Sequence, residues 1–271
     1  MKNNLIIIII SIVFYINLNC YNLALGETLD LPFHTGEKIT LQVRWAFIIA
    51  GEATIELLPS ANINGKDSFH FLFTAHTSKF ADVFYKVRDR IESYTDLNMT
   101  HSLLYIESNQ GKSPKDIAIK FDWEKQEALY SRTGESEKRA PISIMPGTFD
   151  PLSVFYAFRL YNLKEGDEIT IPATDGKKML LGKLNIIKRE MINVGGISYD
   201  TFLVEPELGE LGGVFEKSKD AKLQIWVTAD NRRIPVRIKS KLTVGSFIAE
   251  LTSYNEGVNG SIPDSGSNDI K

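Results

Sequence analysis

Residues 38–45 read Lys-Ile-Thr-Leu-Gln-Val-Arg-Trp, and this stretch decides the fold class. Its polar positions alternate with Ile39, Leu41, Val43 and Trp45, which is the period of a strand buried on one face. The alternation recurs in roughly a dozen segments separated by turn residues, a spacing typical of all-β domains. The pattern therefore predicts a mainly β fold: an antiparallel curved sheet or barrel-like domain of about a dozen strands.

The other predicted strands are spread over the rest of the chain. They cover residues 53–57, 69–73, 86–95, 102–110, 115–123, 126–132, 167–173, 178–190, 197–205, 221–229, 234–244 and 246–254. The dipeptide Asn64-Gly65 precedes the second of these and is a strong signal for a hairpin turn. Residues 207–216 are glycine-rich between two strong strands and are expected to form a mobile loop.

The N-terminal segment is expected to be an export signal. Lys2 precedes an apolar run from Leu5 to Leu18, which is shorter than the roughly 20 residues of a membrane-spanning helix, and small residues follow up to Gly26. Cleavage there would remove the only cysteine, Cys20, although Cys20 could instead be a lipoprotein acceptor. The sequence thus predicts a signal peptide over residues 1–26 and an exported, periplasmic or envelope protein without disulfides.

The remaining chain is expected to be one β-rich domain, residues 27–255, with a disordered tail over residues 256–271 that is rich in Gly, Ser, Asn and Asp. Without the signal segment, 30 basic residues stand against 34 acidic ones. This mildly acidic balance argues against nucleic-acid binding. No later apolar run is long enough to predict a membrane span.

One segment has the pattern of a helix rather than a strand. Asp150-Pro151 is a typical helix start, with aspartate as the N-cap and proline at the first helical position. Apolar residues then recur at helical spacing, at Leu152, Phe155, Tyr156 and Leu160. We therefore expect one substantial helix over residues 148–161, packed on the concave side of the sheet, with Asp150 as its structural cap.

Several of these motifs together resemble the exported bacterial family catalogued as domain of unknown function 3108. The motifs are Gly36-Glu37-Lys38, Ala50-Gly51-Glu52-Ala53, residues 88–94 (Arg-Asp-Arg-Ile-Glu-Ser-Tyr), Asp150-Pro151-Leu152-Ser153 with Tyr156 and Arg159, and residues 223–227 leading to Arg233-Ile234-Pro235-Val236. The resemblance spans about residues 35–255. It implies a secreted or periplasmic β-rich domain and brings no established activity.

Five residues are candidates for ligand binding. Asp89 and Ser93 share a strand face, where they could fix the head group of a ligand, or Asp89 could simply form a structural salt bridge. Trp45 and Trp226 could line an apolar cavity, and Arg159 could pair with a carboxylate inside the sheet, which is usually a structural role. On the strand over residues 234–244, Arg237, Lys239 and Lys241 form a basic ladder, which is either an ordinary solvated face or a site that attracts phosphate or carboxylate groups of envelope lipids or polysaccharides.

Catalytic, metal and cofactor sites are not indicated. Histidines are scattered singly, and no serine lies in a nucleophile-elbow motif, so neither metal nor nucleophilic chemistry is predicted. Convergence of Asp150 with Asp89 or Glu92 would allow carboxylate chemistry on a glycan.

Three functions follow from these expectations. The first is a non-enzymatic module that binds an apolar or amphipathic envelope molecule, such as a lipid. The second is a scaffold or adaptor that contacts envelope proteins, and the third is a carboxylate-dependent enzyme acting on glycans. Fold class alone cannot choose among them.

Overall fold

The computed structural model describes residues 31–111, 114–135, 139–207, 222–242 and 245–258. The compact unit considered below is Pro32–Lys271. The expected signal segment, Cys20, most of the glycine-rich connection and residues 259–271 of the expected tail lie outside the described residues. Of that tail, Val258 is described, and its N–H donates to the carbonyl of Thr35 at 3.0 Å.

Fourteen strands and two short helices make up the described chain. The strands are β1 Lys38–Trp45, β2 Ile48–Ile63, β3 Lys66–Thr77, β4 Arg88–Asp96, β5 Ser102–Asn109, β6 Lys115–Asp122, β7 Glu127–Arg132, β8 Ile142–Ser143, β9 Glu168–Thr174, β10 Met179–Val194, β11 Ile197–Pro206, β12 Lys222–Thr228, β13 Pro235–Leu242 and β14 Gly245–Asn255. The helices are α1 Lys79–Asp82 and α2 Ser153–Phe158.

All fourteen strands belong to one sheet in the order β8-β7-β6-β5-β4-β3-β2-β1-β14-β13-β12-β11-β10-β9. Every ladder is antiparallel, which confirms the predicted fold class. The first and last strands pair with each other in the middle of the sheet, from Lys38 opposite Asn255 to Trp45 opposite Phe247. The edge strands β8 and β9 are not paired with each other within the described residues, so the hydrogen-bonded order is that of an open sheet, and of the two predicted alternatives the barrel-like one is not supported by it.

The segment before α2 contacts two distant strands through its backbone. The carbonyl of Thr148 accepts from the N–H of Ser102, the first residue of β5, at 3.1 Å. The next residue, Phe149, bonds both ways with the edge strand β9, donating to Pro172 and accepting from Thr174, each at 2.9 Å. Residues 148–149 therefore connect β5 with the open edge of the sheet.

The hairpin predicted at Asn64-Gly65 is confirmed. Ile63 and Lys66 are paired across β2 and β3, which leaves a two-residue loop between them. Both loop residues have positive φ, 53° for Asn64 and 82° for Gly65, as a type I′ turn requires.

The prediction of one substantial helix was wrong in extent. Only Ser153–Phe158 is α-helical, because the backbone of residues 148–149 bonds to strands instead. At the other end, the N–H groups of Arg159, Leu160 and Tyr161 bond the carbonyls three residues earlier, so the chain tightens out of the α-helical form. The predicted apolar stripe is also only partly buried: Leu152 and Tyr156 are buried, whereas Leu160 is 38% exposed.

Helix α2 packs on one face of the sheet, which we call the helix face. The ring of Tyr156 stacks on Phe71 of β3 with centroids 3.8 Å apart. Residues paired directly across strands share a face, so the ladders Ile39–Ile55, Ile55–Phe73 and Phe73–Ile91 extend it over neighbouring strands. Close to α2, the apolar side chains of this face are fully buried, as at Leu57 and Phe71.

Candidate functional site

Asp150 lies at the centre of a fully buried polar cluster. Its Oδ1 accepts from the backbone N–H groups of Leu152 and Ser153, each at 2.9 Å. Its Oδ2 accepts from three hydroxyls, those of Ser93 at 2.6 Å, Ser102 at 2.6 Å and Ser153 at 2.7 Å. The carboxylate thus holds the first turn of α2 against β4 and β5, although the residue immediately before the helix is Leu152.

This geometry gives Asp150 an anchoring role. Five donors surround the two oxygens, and none of the four side chains in the cluster is exposed to solvent. A carboxylate held this way offers no free lone pair to a substrate proton and has no open path to one.

Arg159 forms the second buried element beside α2. Its guanidinium makes a two-pronged ion pair with Glu37, at 2.6 and 2.7 Å, and both side chains are completely buried. Two further N–H groups donate to the carbonyls of Pro32 at 3.0 Å and Arg232 at 2.8 Å. Arg159 therefore fastens the end of α2 to the segments at residues 32–37 and 232, in a geometry that an ammonium group could not reproduce.

Tyr156 stands between these two elements with its ring enclosed. Phe71 stacks on one side of the ring, and Phe33 meets it edge to face at a centroid distance of 5.0 Å. The hydroxyl is buried without a hydrogen-bond partner in the described residues. Burial raises the pKa of this phenol well above its ordinary value, so the group stays neutral.

Asp89 lies on the helix face of β4, farther along the strand from α2. Its Oδ1 is buried and has no hydrogen-bond partner among the described residues. Burial and the neighbouring charge of Glu107 raise the pKa of the carboxyl, while Lys115 and a hydrogen bond from Asn109 lower it. Glu107 in turn is paired with Lys115 at 2.5 Å. The structural salt bridge considered for Asp89 is not seen within the described residues.

The five predicted binding residues do not form one site. Ser93 belongs to the Asp150 cluster, and Asp89 lies four residues along β4, about 13 Å away at about 3.3 Å per residue. Trp45 is 43% exposed and stacks on Phe247, with centroids 6.3 Å apart. Trp226 lies on the face opposite Ile225, and its indole N–H donates to Glu190 at 2.9 Å, so it does not line the helix face.

The acids considered for catalysis also lie apart. Glu92 is on the face opposite Ser93 and accepts from His70, Tyr94 and Arg90. Burial raises the pKa of Glu92, but these three hydrogen bonds outweigh it and bring the pKa below its ordinary value. Glu92 therefore lies across the sheet from the enclosed Asp150, and the two do not share a cleft.

Other candidate sites in the described chain are few. No group of three or more metal-ligating side chains occurs in the described ranges. A cleft of about 430 Å³ lies near residues 198–200 and 228–234, but its arginines are already paired, Arg189 with Asp200 and Arg232 with Asp230, each at 2.6 Å. None of the five predicted binding residues lines it. Among the helices of the described residues, none is long and apolar enough to cross a membrane.

Four residues of the buried clusters were not among the predicted site residues: Glu37, Ser102, Ser153 and Arg233. Glu37 has the parity of the buried Ile39 and Leu41 rather than that of the polar positions, but no local signal shows which residue it meets 122 positions later. Ser102 opens β5 as an ordinary polar strand residue. Arg233 donates to the carbonyl of Arg159 at 3.0 Å, and its positive φ of 48° is visible only in the structure.

Comparison with known proteins decides the family. The model of DUF3108, described as a protein of unknown function, matches residues 40–252. The chain belongs to this family. The resemblance drawn from the motifs is thereby confirmed, and the match covers β2–β13 entirely and most of β1 and β14. A comparison of this DUF3108 chain with curated proteins finds no match.

Solved structures similar to the DUF3108 chain share little of its sequence. A β-barrel-like protein of domain of unknown function 1849 from Brucella abortus is 7% identical, with a TM-score of 0.49 over 82% of this chain and 98% of its own. The hypothetical protein CT021 from Chlamydia trachomatis is 10% identical, with a TM-score of 0.37 over 85% and 92%. A candidate lipoprotein from Parabacteroides distasonis is 10% identical, with a TM-score of 0.32 over 85% and 100%. None of these likenesses bears on activity.

Proposed function

We propose that this protein is an exported, non-enzymatic module of the cell envelope that binds an apolar or amphipathic molecule on the helix face of its sheet. Export is supported by the charged and then apolar N-terminal segment, residues 1–26. A non-enzymatic role is supported by Asp150, which is enclosed by donors, and by Glu92, which lies on the other face.

The observation that carries the binding role is a change in burial along the helix face. Beside α2 the face is completely covered, as at Leu57 and Phe71. Two residues farther along β3 and on β4 the same face remains apolar but is only partly covered, as at Phe73 and Ile91. An apolar surface left partly open beside a packed core is the usual character of a site for an apolar group.

Asp89 supplies the polar anchor of the proposed site. It lies two residues beyond Ile91 on β4, and its Oδ1 is a buried acceptor without a partner in the described residues. A hydroxyl or ammonium donor of a bound head group would satisfy that oxygen, whose burial is otherwise costly. Ser93 is already bonded to Asp150 and takes no part in this proposal.

The test is native mass spectrometry of the protein purified gently from its own envelope. We expect a non-covalent adduct of lipid-like mass that is released on denaturation. Ile91→Trp should fill the partly covered region and abolish the adduct, and Phe73→Trp, directly opposite on the neighbouring strand β3, should do the same. Arg90→Trp adds the same ring on the opposite face of β4 and should leave the adduct in place.

Two outcomes would contradict the proposal. An adduct that survives both helix-face substitutions, in variants with wild-type circular dichroism, would place the ligand elsewhere. Recovery of a stoichiometric protein partner without any small molecule would favour the scaffold function instead.

A further inference from the structure

A cluster of exposed apolar side chains lies at the strand ends farthest from α2. It is built from two neighbouring segments: residues 44–50, which are the β1–β2 turn with the adjoining ends of both strands, and residues 78–88, which are the connection from β3 to β4 with the first residue of β4. We call these two segments the apolar end. Its exposed apolar residues are Trp45, Phe47, Ile49, Phe80, Val83, Phe84 and Tyr85. The side chain of Phe47 is 91% exposed and that of Val83 is 79% exposed. Seven exposed apolar side chains in one cluster form a larger apolar patch than the singly scattered apolar residues of an ordinary protein surface.

Polar contacts hold this cluster in place. Ser78 caps α1, and it joins the two segments by donating from its N–H to Ala50 at 2.8 Å and from its hydroxyl to Ile49 at 3.1 Å. Asp82 of α1 accepts from Arg88 at 2.7 Å and from Thr77 at 2.5 Å. The hydrogen bonds from Arg88 and Thr77 hold the pKa of Asp82 below its ordinary value, so the contact persists at neutral pH. These hydrogen bonds hold the backbone that carries the exposed aromatic rings in one conformation.

The charge of the apolar end is opposite to that of the chain. Its two segments contain four basic residues, Arg44, Lys79, Lys86 and Arg88, and one acid, Asp82, whereas the whole chain carries −3. Lys79 and Lys86 are exposed and form no ion pair within the described residues. The basic ladder of β13 ends beside the β1–β2 turn: Lys241 pairs with Ser246, whose carbonyl accepts from the N–H of Ala46 at 3.4 Å.

Exposed aromatic rings surrounded by lysines are suited to a lipid surface with anionic headgroups. The rings enter the boundary between headgroups and acyl chains, and each cation near the surface adds roughly 1 kcal/mol of attraction. A protein partner would need acidic residues placed opposite these two lysines. An anionic bilayer presents negatively charged phosphates over its whole surface, so it needs no such match. We propose that the apolar end docks the protein onto an anionic lipid surface, with Phe47, Phe80 and Phe84 inserted and Lys79 and Lys86 on lipid phosphates. This inference does not depend on a ligand at the helix face.

Vesicle flotation tests the proposal with the exported protein, whose N terminus is first read by mass spectrometry so that no signal segment contributes. We expect binding to phosphatidylcholine vesicles that contain about one-third phosphatidylglycerol, and much weaker binding to phosphatidylcholine alone. The pair Lys79→Gln and Lys86→Gln should lower binding to the anionic vesicles about 30-fold. Quenching of tryptophan fluorescence by spin-labelled lipid should occur and should be lost in Trp45→Phe.

The triple variant Phe47→Ser, Phe80→Ser and Phe84→Ser should lower binding at least about tenfold while leaving the fold intact, because the rings are exposed. The matched control, Met191→Ser with Ile197→Ser, removes equally exposed apolar groups near the opposite strand ends and should bind like wild type. Equal binding by the triple variant and wild type would overturn the proposal. A second outcome would also overturn it: the wild-type protein does not bind vesicles but forms a dimer in sedimentation velocity, and the triple variant is a monomer. The cluster would then join two copies of the chain.

Discussion

Replacing Glu37 by glutamine tests whether the buried ion pair with Arg159 holds the domain together. Both side chains are completely buried, so Glu37→Gln leaves a guanidinium charge without a counterion in the core. Breaking such a pair costs about 3–5 kcal/mol. Two backbone carbonyls and three aromatic rings within 5.3–5.6 Å remain around the guanidinium, so we expect the lower end, a loss of about 3 kcal/mol in the free energy of unfolding.

Urea denaturation followed by far-ultraviolet circular dichroism measures this loss. With a slope of roughly 3 kcal/mol per molar urea for a domain of this size, the midpoint should fall by about 1 M. Lys125→Gln breaks the exposed pair with Asp122, where the lysine side chain is 70% exposed, and should leave the urea midpoint essentially unchanged. If Glu37→Gln lowers the urea midpoint no more than Lys125→Gln does, the ion pair between Glu37 and Arg159 does not stabilise the domain as we describe.

Three further predictions use the same denaturation assay. Asp150→Ala should cost at least about 3 kcal/mol because five donors lose their acceptor, and a loss near that of a single exposed cap, about 1 kcal/mol, would contradict the anchoring role. Tyr156→Phe should stabilise the domain by about 1 kcal/mol, since its hydroxyl is buried without a described partner, and a clear destabilisation would reveal a hidden one. The folded domain raises the pKa of Asp89, so its contribution to stability is full below pH 3.8 and is lost as pH rises through the raised pKa. Asp89→Asn should therefore exceed wild type in stability at neutral pH and match it below pH 3.8, and an unchanged difference across pH would refute this.

Strand content was predictable because side-chain alternation is a local signal. The period-two pattern of residues 38–45 appears as β1 with Ile39 and Leu41 buried, and the Asn64-Gly65 dipeptide makes the expected turn. The position of Trp226 could have been predicted in the same way. Leu223, Ile225 and Val227 are the apolar set of β12, which leaves Trp226 on the opposite face.

Long-range pairing was not predictable from local pattern. The helix was expected to begin at Asp150 because Asp-Pro is a valid start signal, but Phe149 bonds to β9, and the helix begins at Ser153. The Asp150 cluster collects hydroxyls from β4 and β5, 57 and 48 residues away, and serines on those strands look like any other polar strand residue. A single sequence shows which groups can bond, but not which of them meet.

The pairing of β1 with β14 has a consequence for the order in which an exported chain can fold. Every other ladder of the sheet joins strands that are consecutive along the chain, so each can form as soon as its second strand emerges. The β1–β14 ladder joins residues about 200 positions apart and must wait for the last strand. Until then the edge of β1 that faces away from β2 is unpaired. The first eight strands form one half of the sheet, and the C-terminal half must pair with it last. In a chain that emerges from its N terminus, this edge of β1 therefore stays unpaired until the final residues of β14 arrive.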